Sequence, residues 1–313
     1  MTGLTLPGGL LMTYGSPSSL DREDVREYLT RFRGGREPSA ELVDEFTRRY
    51  EIIRGSPLVD ITRRQARALA AQLGWPVEVG MRFSEPSIER GLRELADVGV
   101  TDVAAIVLSP QYSALLMAGY GRAIDEARRA IGDGAPQVAV AEAWHREPEF
   151  VESIAERVRE ALSEVPAEER TRTHILMTAH SLPRRVADEE PAYLAQLAET
   201  AAAVAAQAGL TDDEWTFCWQ SAGHEPGEWM KPDFADLIPG IAGRGGRSVL
   251  VVPVQFLADH LETLYDIDVG AREQAERFGL SFQRIASLNE SADLIRALGR
   301  VAARSLPAIA QPS

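Results

Sequence analysis

Short apolar runs alternate along the chain with longer stretches of helical spacing, and this alternation limits the possible folds more than any other feature. The predicted strands are 9–14, 77–82, 102–108, 137–141, 174–178, 214–219, 249–254 and 281–285. Between them, apolar residues recur every three or four positions, as they do on one face of a helix. Strands that alternate with helices form parallel sheets connected by right-handed crossovers. We therefore predict an α/β protein of two similar, doubly wound domains with about four parallel strands each.

The predicted division places an N-terminal domain at 1–150 and a C-terminal domain at 151–313. The boundary is expected within the helical segment 147–162 or the polar stretch 166–172. Three predicted helices, 20–32, 38–53 and 58–73, precede the second strand. A plain strand–helix–strand unit needs only one crossover helix, so we expect the surplus to form a lid or flap.

Composition excludes several classes of protein. A net charge of −14 over 313 residues argues against a nucleic-acid binder, which needs a basic face. No apolar run approaches the roughly 20 residues of a membrane helix, and the first residues lack the charged start of a signal peptide, so we expect a cytoplasmic protein. With Cys218 alone, the chain cannot supply the thiolates of a four-cysteine Fe–S cluster. Neither G-x-G-x-x-G nor a Walker sequence is present, which argues against a nucleotide enzyme.

Two predicted strand ends in the second half carry side chains suited to chemistry. His180 follows the strand 174–178, at the edge where open α/β sheets bind ligands, and turn-forming residues come next. Glu262 and Asp266 follow the apolar run 248–254 and lie near the start of a predicted helix over 259–278. They are four residues apart, so they share one helix face. An imidazole with carboxylates suits a divalent transition metal and proton transfer. We predict that these groups face each other across a cleft, with His260 orienting Glu262 from behind.

Simpler interpretations stay open for these residues. A histidine at a strand end is often a satisfied core residue, and carboxylates near a helix start are stabilised by the helix dipole. His145 and His174 are interpreted as solvated or structural residues, and His224 lies in a Gly/Pro loop, so these three are given no role.

In the first half, Tyr14 ends the first predicted strand, where such folds bind ligands. Four arginines gather in the next segments: Arg33, Arg36, Arg49 and Arg54. They form either a solvated basic face or a set of guanidinium groups that bind the carboxylates of an acidic ligand.

Six segments, taken together, resemble the ferrochelatase family, whose members insert ferrous iron into a porphyrin. They run in the family's order over nearly the whole chain: LLMTYGSPSS, RYEIIRGSPL, VLSPQYS, TAHSLP, CWQSAG and VVPVQFLADHLETLYDID. The resemblance implies a lyase of the chelatase fold, with two Rossmann-like domains around a porphyrin cleft. It also implies that His180 and Glu262 handle the metal, while Asp266 relays protons.

Tyr14 is similar to the tyrosine of the branch that uses coproporphyrin III. By the same matching, five positions line the porphyrin site: Arg33, Arg49, Tyr50, Ser56 and Tyr120. The resemblance therefore implies that Fe(II) enters coproporphyrin III as a substrate metal, giving Fe-coproporphyrin for haem biosynthesis. We expect a monomer without an Fe–S cluster that hands its product transiently to a downstream enzyme of the pathway.

The chain departs from the family pattern at two positions. Gly270 stands where the acidic helix face of this branch often continues, so a metal or proton path would be shorter or use Asp268. Lys231 precedes a proline where a glycine is usual. Three alternative functions stay open at this point: a protoporphyrin IX ferrochelatase, a cobalt or nickel chelatase for another tetrapyrrole, and a tetrapyrrole carrier without catalysis.

Overall fold

The first half of the chain builds one parallel sheet in the order β2-β1-β3-β4. The computed structural model describes residues 5–223 and 227–306. The strands are β1 (Pro7–Thr13), β2 (Val77–Met81), β3 (Asp102–Val107) and β4 (Gln137–Val140). The helices are α1 (Arg22–Phe32), α2 (Ala40–Ile52), α3 (Leu58–Leu73), α4 (Ile88–Asp97) and α5 (Ala114–Ile131), followed by a 3₁₀ turn at Gly132–Gly134. All seven residues of β1 are buried, as expected for a central strand covered on both faces.

The second half repeats this topology, with the strand order β6-β5-β7-β8. Its strands are β5 (Thr173–His180), β6 (Trp215–Gln220), β7 (Ser248–Pro253) and β8 (Ser281–Arg284). Its helices are α6 (Pro148–Glu164), α7 (Ala167–Arg170), α8 (Arg184–Glu189), α9 (Pro191–Ala208), α10 (Phe234–Gly243), a π-helix (Glu262–Ala271) and α11 (Arg272–Arg277). The prediction of parallel four-stranded sheets in an α/β fold is confirmed. Across the described chain, no helix is both long and apolar enough to cross a membrane.

The strand order defines where each sheet can bind a ligand. In both sheets the first strand lies between the second and the third, so successive connections leave it in opposite directions. A crevice therefore opens outside the carboxyl ends of β1 and β3 in one sheet, and of β5 and β7 in the other.

The last helix corrects the predicted division at residue 150. The first compact unit extends to Trp144 and resumes at Asn289, whereas the second is His145–Leu288. Helix α12 (Ala292–Ser305) packs on α3 and near β3, although we had assigned it to the C-terminal domain. The packing is close, because a Cβ at Gly299 would lie 2.1 Å from Nε2 of Gln72. Amphipathic spacing predicts that a helix covers a sheet, but it does not say which of two sheets.

The three helices between β1 and β2 have different roles. Helix α3 packs on β1, β2 and α12, so it serves as the crossover helix of the sheet. Helices α1 and α2 pack against each other and form the surplus beyond the one crossover helix. Arg26 joins this pair to the turn between them through Glu37 at 2.8 Å. Whether α1 and α2 act as a lid stays a prediction.

The predicted helix over 259–278 also differs from the structure. Residues 262–271 wind as a π-helix, and only Arg272–Arg277 is α-helical. A π-helix bonds residue i to i+5, and one this long is rare and often occurs at a functional site.

Helix α4 lies unusually close to its sheet, and this closeness depends on Gly91. A Cβ at Gly91 would lie 2.6 Å from the carbonyl oxygen of Val79 and 2.8 Å from Cδ1 of Leu10. We expect Gly91→Ala to lower the free energy of unfolding by about 1–3 kcal/mol, because backbone must move to admit the methyl group. Urea denaturation followed by circular dichroism measures the change.

Gly121→Ala in α5 is the matched control. A Cβ at Gly121 meets no atom within 4 Å, so alanine should leave stability unchanged or raise it by up to about 1 kcal/mol. Equal effects of the two substitutions would show that close packing under α4 is not what Gly91 provides.

Candidate functional site

The site in the second unit centres on a direct contact between His180 and Glu262. Nδ1 of His180 lies 2.8 Å from Oε2 of Glu262, although the two residues are 82 positions apart in sequence. His180 is the last residue of β5, and Glu262 is the first residue of the π-helix that follows β7. Both side chains therefore lie at the crevice between β5 and β7. They are partly open to solvent, with exposures of 32% for His180 and 26% for Glu262.

Neighbouring amides hold the two strand ends together. Gln255, which follows β7, accepts a hydrogen bond from the backbone N–H of His180 at 2.8 Å through Oε1. Nε2 of Gln255 donates to the hydroxyl of Tyr193 in α9 at 2.6 Å. Neither Gln255 nor Tyr193 is among the site residues predicted from the sequence. A glutamine directly after an apolar strand was the available signal, but glutamine is common in loops.

The two partners shift each other's pKa. Burial alone would lower the pKa of His180, but the charge and hydrogen bond of Glu262, with a smaller contribution from Asp266, raise it above the usual 6.5. Burial alone would raise the pKa of Glu262, but His180 outweighs it and lowers that pKa below its usual 4.5. In the metal-free pair, each partner thus favours the charged form of the other.

Asp266 and Asp268 do different things, although both belong to the predicted acidic cluster. Asp266 lies four residues after Glu262 and close enough for its charge to act on His180. Asp268 is bound at both carboxylate oxygens by Arg284, at 2.7 and 2.9 Å. Arg284 therefore engages both oxygens of Asp268, and the suggestion that a metal or proton path uses Asp268 stays a prediction. A Cβ at Gly270 would meet only the carbonyl oxygen of Tyr265, at 3.7 Å.

His260 is buried in the loop that precedes the π-helix. Its Nδ1 lies 2.8 Å from the carbonyl oxygen of Ala258, to which it donates, and its ring stacks edge-on against Phe256. Burial lowers the pKa of His260, although the charge of Glu262 opposes the shift. A neutral ring ordered by its own loop fits a supporting position, and the orienting role of His260 stays a prediction.

The His180–Glu262 pair is an open site rather than a metal cage. Among the described residues, no group of three or more His, Cys, Asp or Glu side chains is arranged to hold a metal ion. Structural metal sites close the coordination shell with four protein ligands, whereas catalytic sites leave positions open. Two ligands at a crevice suit a metal that passes through as a substrate.

The six substrate residues predicted in the first half all lie in the first unit, mostly in segments that follow strands β1 and β3. Tyr14 directly follows β1, and its carbonyl oxygen accepts a hydrogen bond from Phe83. Tyr120 is buried in α5, the helix after β3. Ser56 precedes α3, and its hydroxyl accepts a hydrogen bond from the backbone of Leu58 at 3.4 Å.

The two predicted substrate arginines differ in their surroundings. Arg33 follows the last residue of α1, and its Nε is buried without a hydrogen-bond partner in the described part of the chain. Arg49 lies in α2 and donates a hydrogen bond to Glu45 at 2.8 Å. The hydrogen bond from Arg48 has the largest effect on Glu45, and with the one from Arg49 it lowers the pKa of Glu45 to about 2. Tyr50 is buried beside it, with 4% of its surface exposed.

Arg82 is a residue of this region that the sequence analysis missed. It follows β2, and its guanidinium lies 4.7 Å from the ring centre of Phe83 and 5.4 Å from that of Tyr120. Burial lowers the pKa of Arg82. Helix α5 makes room for this side chain, because a Cβ at Gly119 would lie 1.9 Å from its Nη2.

The three histidines given no role have ordinary surroundings where they are described, and so does Lys231. His145 contacts Glu199 at 3.0 Å, and His174 contacts Thr216 at 2.9 Å. His224 lies outside the described residues.

Lys231 forms ion pairs with Asp233 and Asp236 at the start of α10, which explains it as a local structural residue.

Comparison with known proteins places this site in a family. The ferrochelatase family model matches residues 7–306. A ferrochelatase of Deinococcus radiodurans is 38% identical over 309 residues, covering 97% of each chain. A coproporphyrin III ferrochelatase of Bacillus subtilis is 35% identical over 309 residues, covering 96% of this chain and 97% of its own. Another, of a Geobacillus species, is 36% identical over 304 residues, covering 94% and 96%.

Solved structures support the fold alone, because their sequence identity to this chain is low. SirB from Bacillus subtilis with Fe³⁺ has a TM-score of 0.58 at 14% identity, covering 97% of this chain and 98% of its own. CbiX, described as the terminal enzyme for biosynthesis of siroheme in denitrifying bacteria, has a TM-score of 0.51 at 13% identity, covering 95% and 97%. The predicted chelatase fold is confirmed by these likenesses, and the predicted lyase by the family match. The chain therefore belongs to the ferrochelatase family, whose members handle a metal ion and a porphyrin.

Proposed function

We propose that this ferrochelatase inserts Fe(II) into coproporphyrin III, giving Fe-coproporphyrin for haem biosynthesis. The observation that carries the metal-handling part is the 2.8 Å contact between His180 and Glu262 at the crevice of the second sheet. Several relatives at about 35% identity are coproporphyrin III ferrochelatases, which supports the choice of porphyrin. The arginines of the first unit support it too, because coproporphyrin carries four carboxylates. Tyr14 supports it because it is similar to the tyrosine of the coproporphyrin III branch.

In this proposal, His180 and Glu262 take the incoming Fe²⁺ from water. An imidazolium has no lone pair for a metal, so His180 must first lose a proton. Insertion also releases two protons from the pyrrole nitrogens, for each Fe²⁺ that enters the ring. His180 and Glu262 are placed to accept them, and Asp266 is the next carboxylate along the π-helix to which they can pass.

The first unit supplies the proposed contacts to the porphyrin. The Nε of Arg33 is the donor most in need of an acceptor, because burial without a partner is costly. Arg49 can bind a propionate if it shares or releases Glu45. The aromatic and hydroxyl groups of Tyr14, Tyr50, Ser56 and Tyr120 complete the proposed set.

Several further expectations stay predictions. They concern a monomeric, cytoplasmic protein that uses no nucleotide, binds no nucleic acid and passes its product to a later enzyme. The sole cysteine, Cys218, is buried, and the chain is expected to carry no Fe–S cluster.

Three other functions are separated from this one by simple assays. A protoporphyrin IX ferrochelatase would prefer the porphyrin with two propionates, and a cobalt or nickel chelatase would prefer those metals. A carrier without catalysis would bind the porphyrin tightly and insert no metal at any pH. The open pair of His180 and Glu262 favours an enzyme over a carrier.

Anaerobic incubation with ferrous iron and either porphyrin, followed by absorbance, tests the proposal. We expect insertion into coproporphyrin III at a kcat/KM at least about 10-fold above that for protoporphyrin IX, because two further carboxylates meet cationic donors. His180→Ala and Glu262→Gln should each lower kcat by about 100-fold or more, while fluorescence quenching shows that porphyrin still binds. Wild-type rates in either variant would contradict the metal-handling role, and equal use of both porphyrins would contradict the substrate.

The shifted pKa values predict how pH acts on the site. Insertion should rise with pH as His180 loses its proton, with the midpoint above 6.5 because that pKa is raised. The contribution of His180 to the stability of the folded protein is fully present below the pKa that His180 has in the unfolded chain. It is lost as pH rises through the pKa that His180 has in the folded protein. Asp266→Asn removes one of the charges that raise this pKa, so the rising limb should move to lower pH.

NMR titration of the metal-free protein checks the shift independently of activity. The ring of His180 should titrate at lower pH in Asp266→Asn than in the wild type. His174 provides an internal control, since its pKa is lowered by burial and by Arg244, with only Asp213 opposing. An unchanged His180 titration would show that Asp266 does not act on it.

A further inference from the structure

A single buried guanidinium ties together the segment that carries Glu262. Arg284, the last residue of β8, has only 10% of its side chain exposed. It binds Asp268 in the π-helix with two parallel hydrogen bonds, of 2.7 and 2.9 Å, and Asp259 in the preceding loop at 3.2 Å. Asp259 and Asp268 lie on either side of Glu262 in sequence, so one side chain fixes both flanks of the segment.

Every N–H of this guanidinium has an acceptor. Besides the three bonds to aspartates, Nη1 donates to the carbonyl oxygen of Ile285 and to the hydroxyl of Ser287, each at 3.0 Å. Ser287 in turn donates to Asp259 at 2.7 Å. An arginine offers five N–H donors in a fixed plane, and this arrangement uses all five. The cluster of Arg284, Asp259, Asp268 and Ser287 is called the Arg284 cluster below.

The segment between the two aspartates is itself stiff. The backbone N–H of His260 donates to the hydroxyl of Thr263 at 2.9 Å, and the N–H of Leu264 donates to the carbonyl oxygen of His260 at 2.9 Å. Fixing Asp259 and Asp268 therefore fixes the residues between them, including Glu262.

Stability alone does not account for such a cluster. Removing charges from water costs free energy that their attraction often fails to recover, so buried ion pairs are weak evidence of stabilisation. Their better attested use is to select one arrangement among competing ones. Here the competing arrangement is ordinary α-helical winding, which the sequence analysis itself predicted for these residues and which would turn Glu262 and Asp268 relative to each other.

We infer that Arg284 is a positioning residue for metal handling: through Asp259 and Asp268 it holds the π-helix in the winding that sets Glu262 against His180. The inference rests on the proposed metal role of His180 and Glu262. It also gives Asp268 a positioning function, since Arg284 binds both of its oxygens.

Arg284→Lys is the first test, because lysine keeps the charge but cannot make the planar fork. We expect KM for ferrous iron to rise about 10-fold or more, with KM for the porphyrin unchanged, since supporting residues of metal ligands typically contribute 10–100-fold to affinity or activity. Binding of Co²⁺ to the porphyrin-free protein, followed by visible absorbance, should weaken by a similar factor. A purely structural role would lower the amount of folded protein without separating the two KM values.

A triple variant, Arg284→Met with Asp259→Asn and Asp268→Asn, guards against misfolding. It removes the cluster without leaving a lone buried charge, a change that proteins often tolerate. We expect a folded protein with the same loss of Co²⁺ affinity. Arg272→Met is the matched control, because Arg272 is exposed and donates to the backbone oxygens of Asp268 and Phe282 rather than to a carboxylate of the cluster; it should keep wild-type Co²⁺ affinity.

Glu262→Gln separates failure of this inference from failure of the proposed function. Co²⁺ affinity that falls in Glu262→Gln but stays at the wild-type level in Arg284→Lys and the triple variant would overturn the positioning role alone. Co²⁺ affinity unaffected by Glu262→Gln would overturn the metal role of the pair and the positioning role with it.

Discussion

The contact between His180 and Glu262 is the interaction on which the proposed chemistry depends. It joins the last residue of β5 to the start of the π-helix that follows the neighbouring strand β7, far away in sequence. The parallel sheet makes this possible, because all its strands end at one edge and the central pair leaves a crevice there. The fold thus brings the residues together, while the loops after the strands decide how they are oriented. Gln255 contributes at this level by bonding the backbone of His180.

Much of the fold followed from the sequence, for identifiable reasons. A buried parallel strand reads as a continuous apolar run, and β1 and β7 are such runs, buried throughout. The proximity of His180 and Glu262 could be predicted because each follows a strand of that kind. Placing α12 failed, because its apolar face fits any sheet and its contact with α3 is a long-range one that spacing does not encode.

The winding of the π-helix was beyond the reach of local sequence. Its residues have ordinary helical spacing, and four-residue separation puts Glu262 near Asp266 in either winding. What distinguishes the two windings is contact with Arg284, which lies sixteen positions beyond Asp268 on another element. A long-range ion pair of this kind leaves no periodic signal. Arg82 could not be predicted for the same reason. It follows β2, and its position depends on the absence of a side chain at Gly119 in helix α5.

A metal that must leave places a demand on the protein that a resident metal does not. Where four ligands close around an ion, the ion itself draws them into position, and binding contributes to folding. Two ligands that receive a substrate metal get no such help, because tight binding would oppose its transfer to the porphyrin. Their geometry must be set in advance by the protein. Under the proposed function, the sheet edge sets His180 and the Arg284 cluster sets Glu262, so an open site for a substrate metal can still be an ordered one.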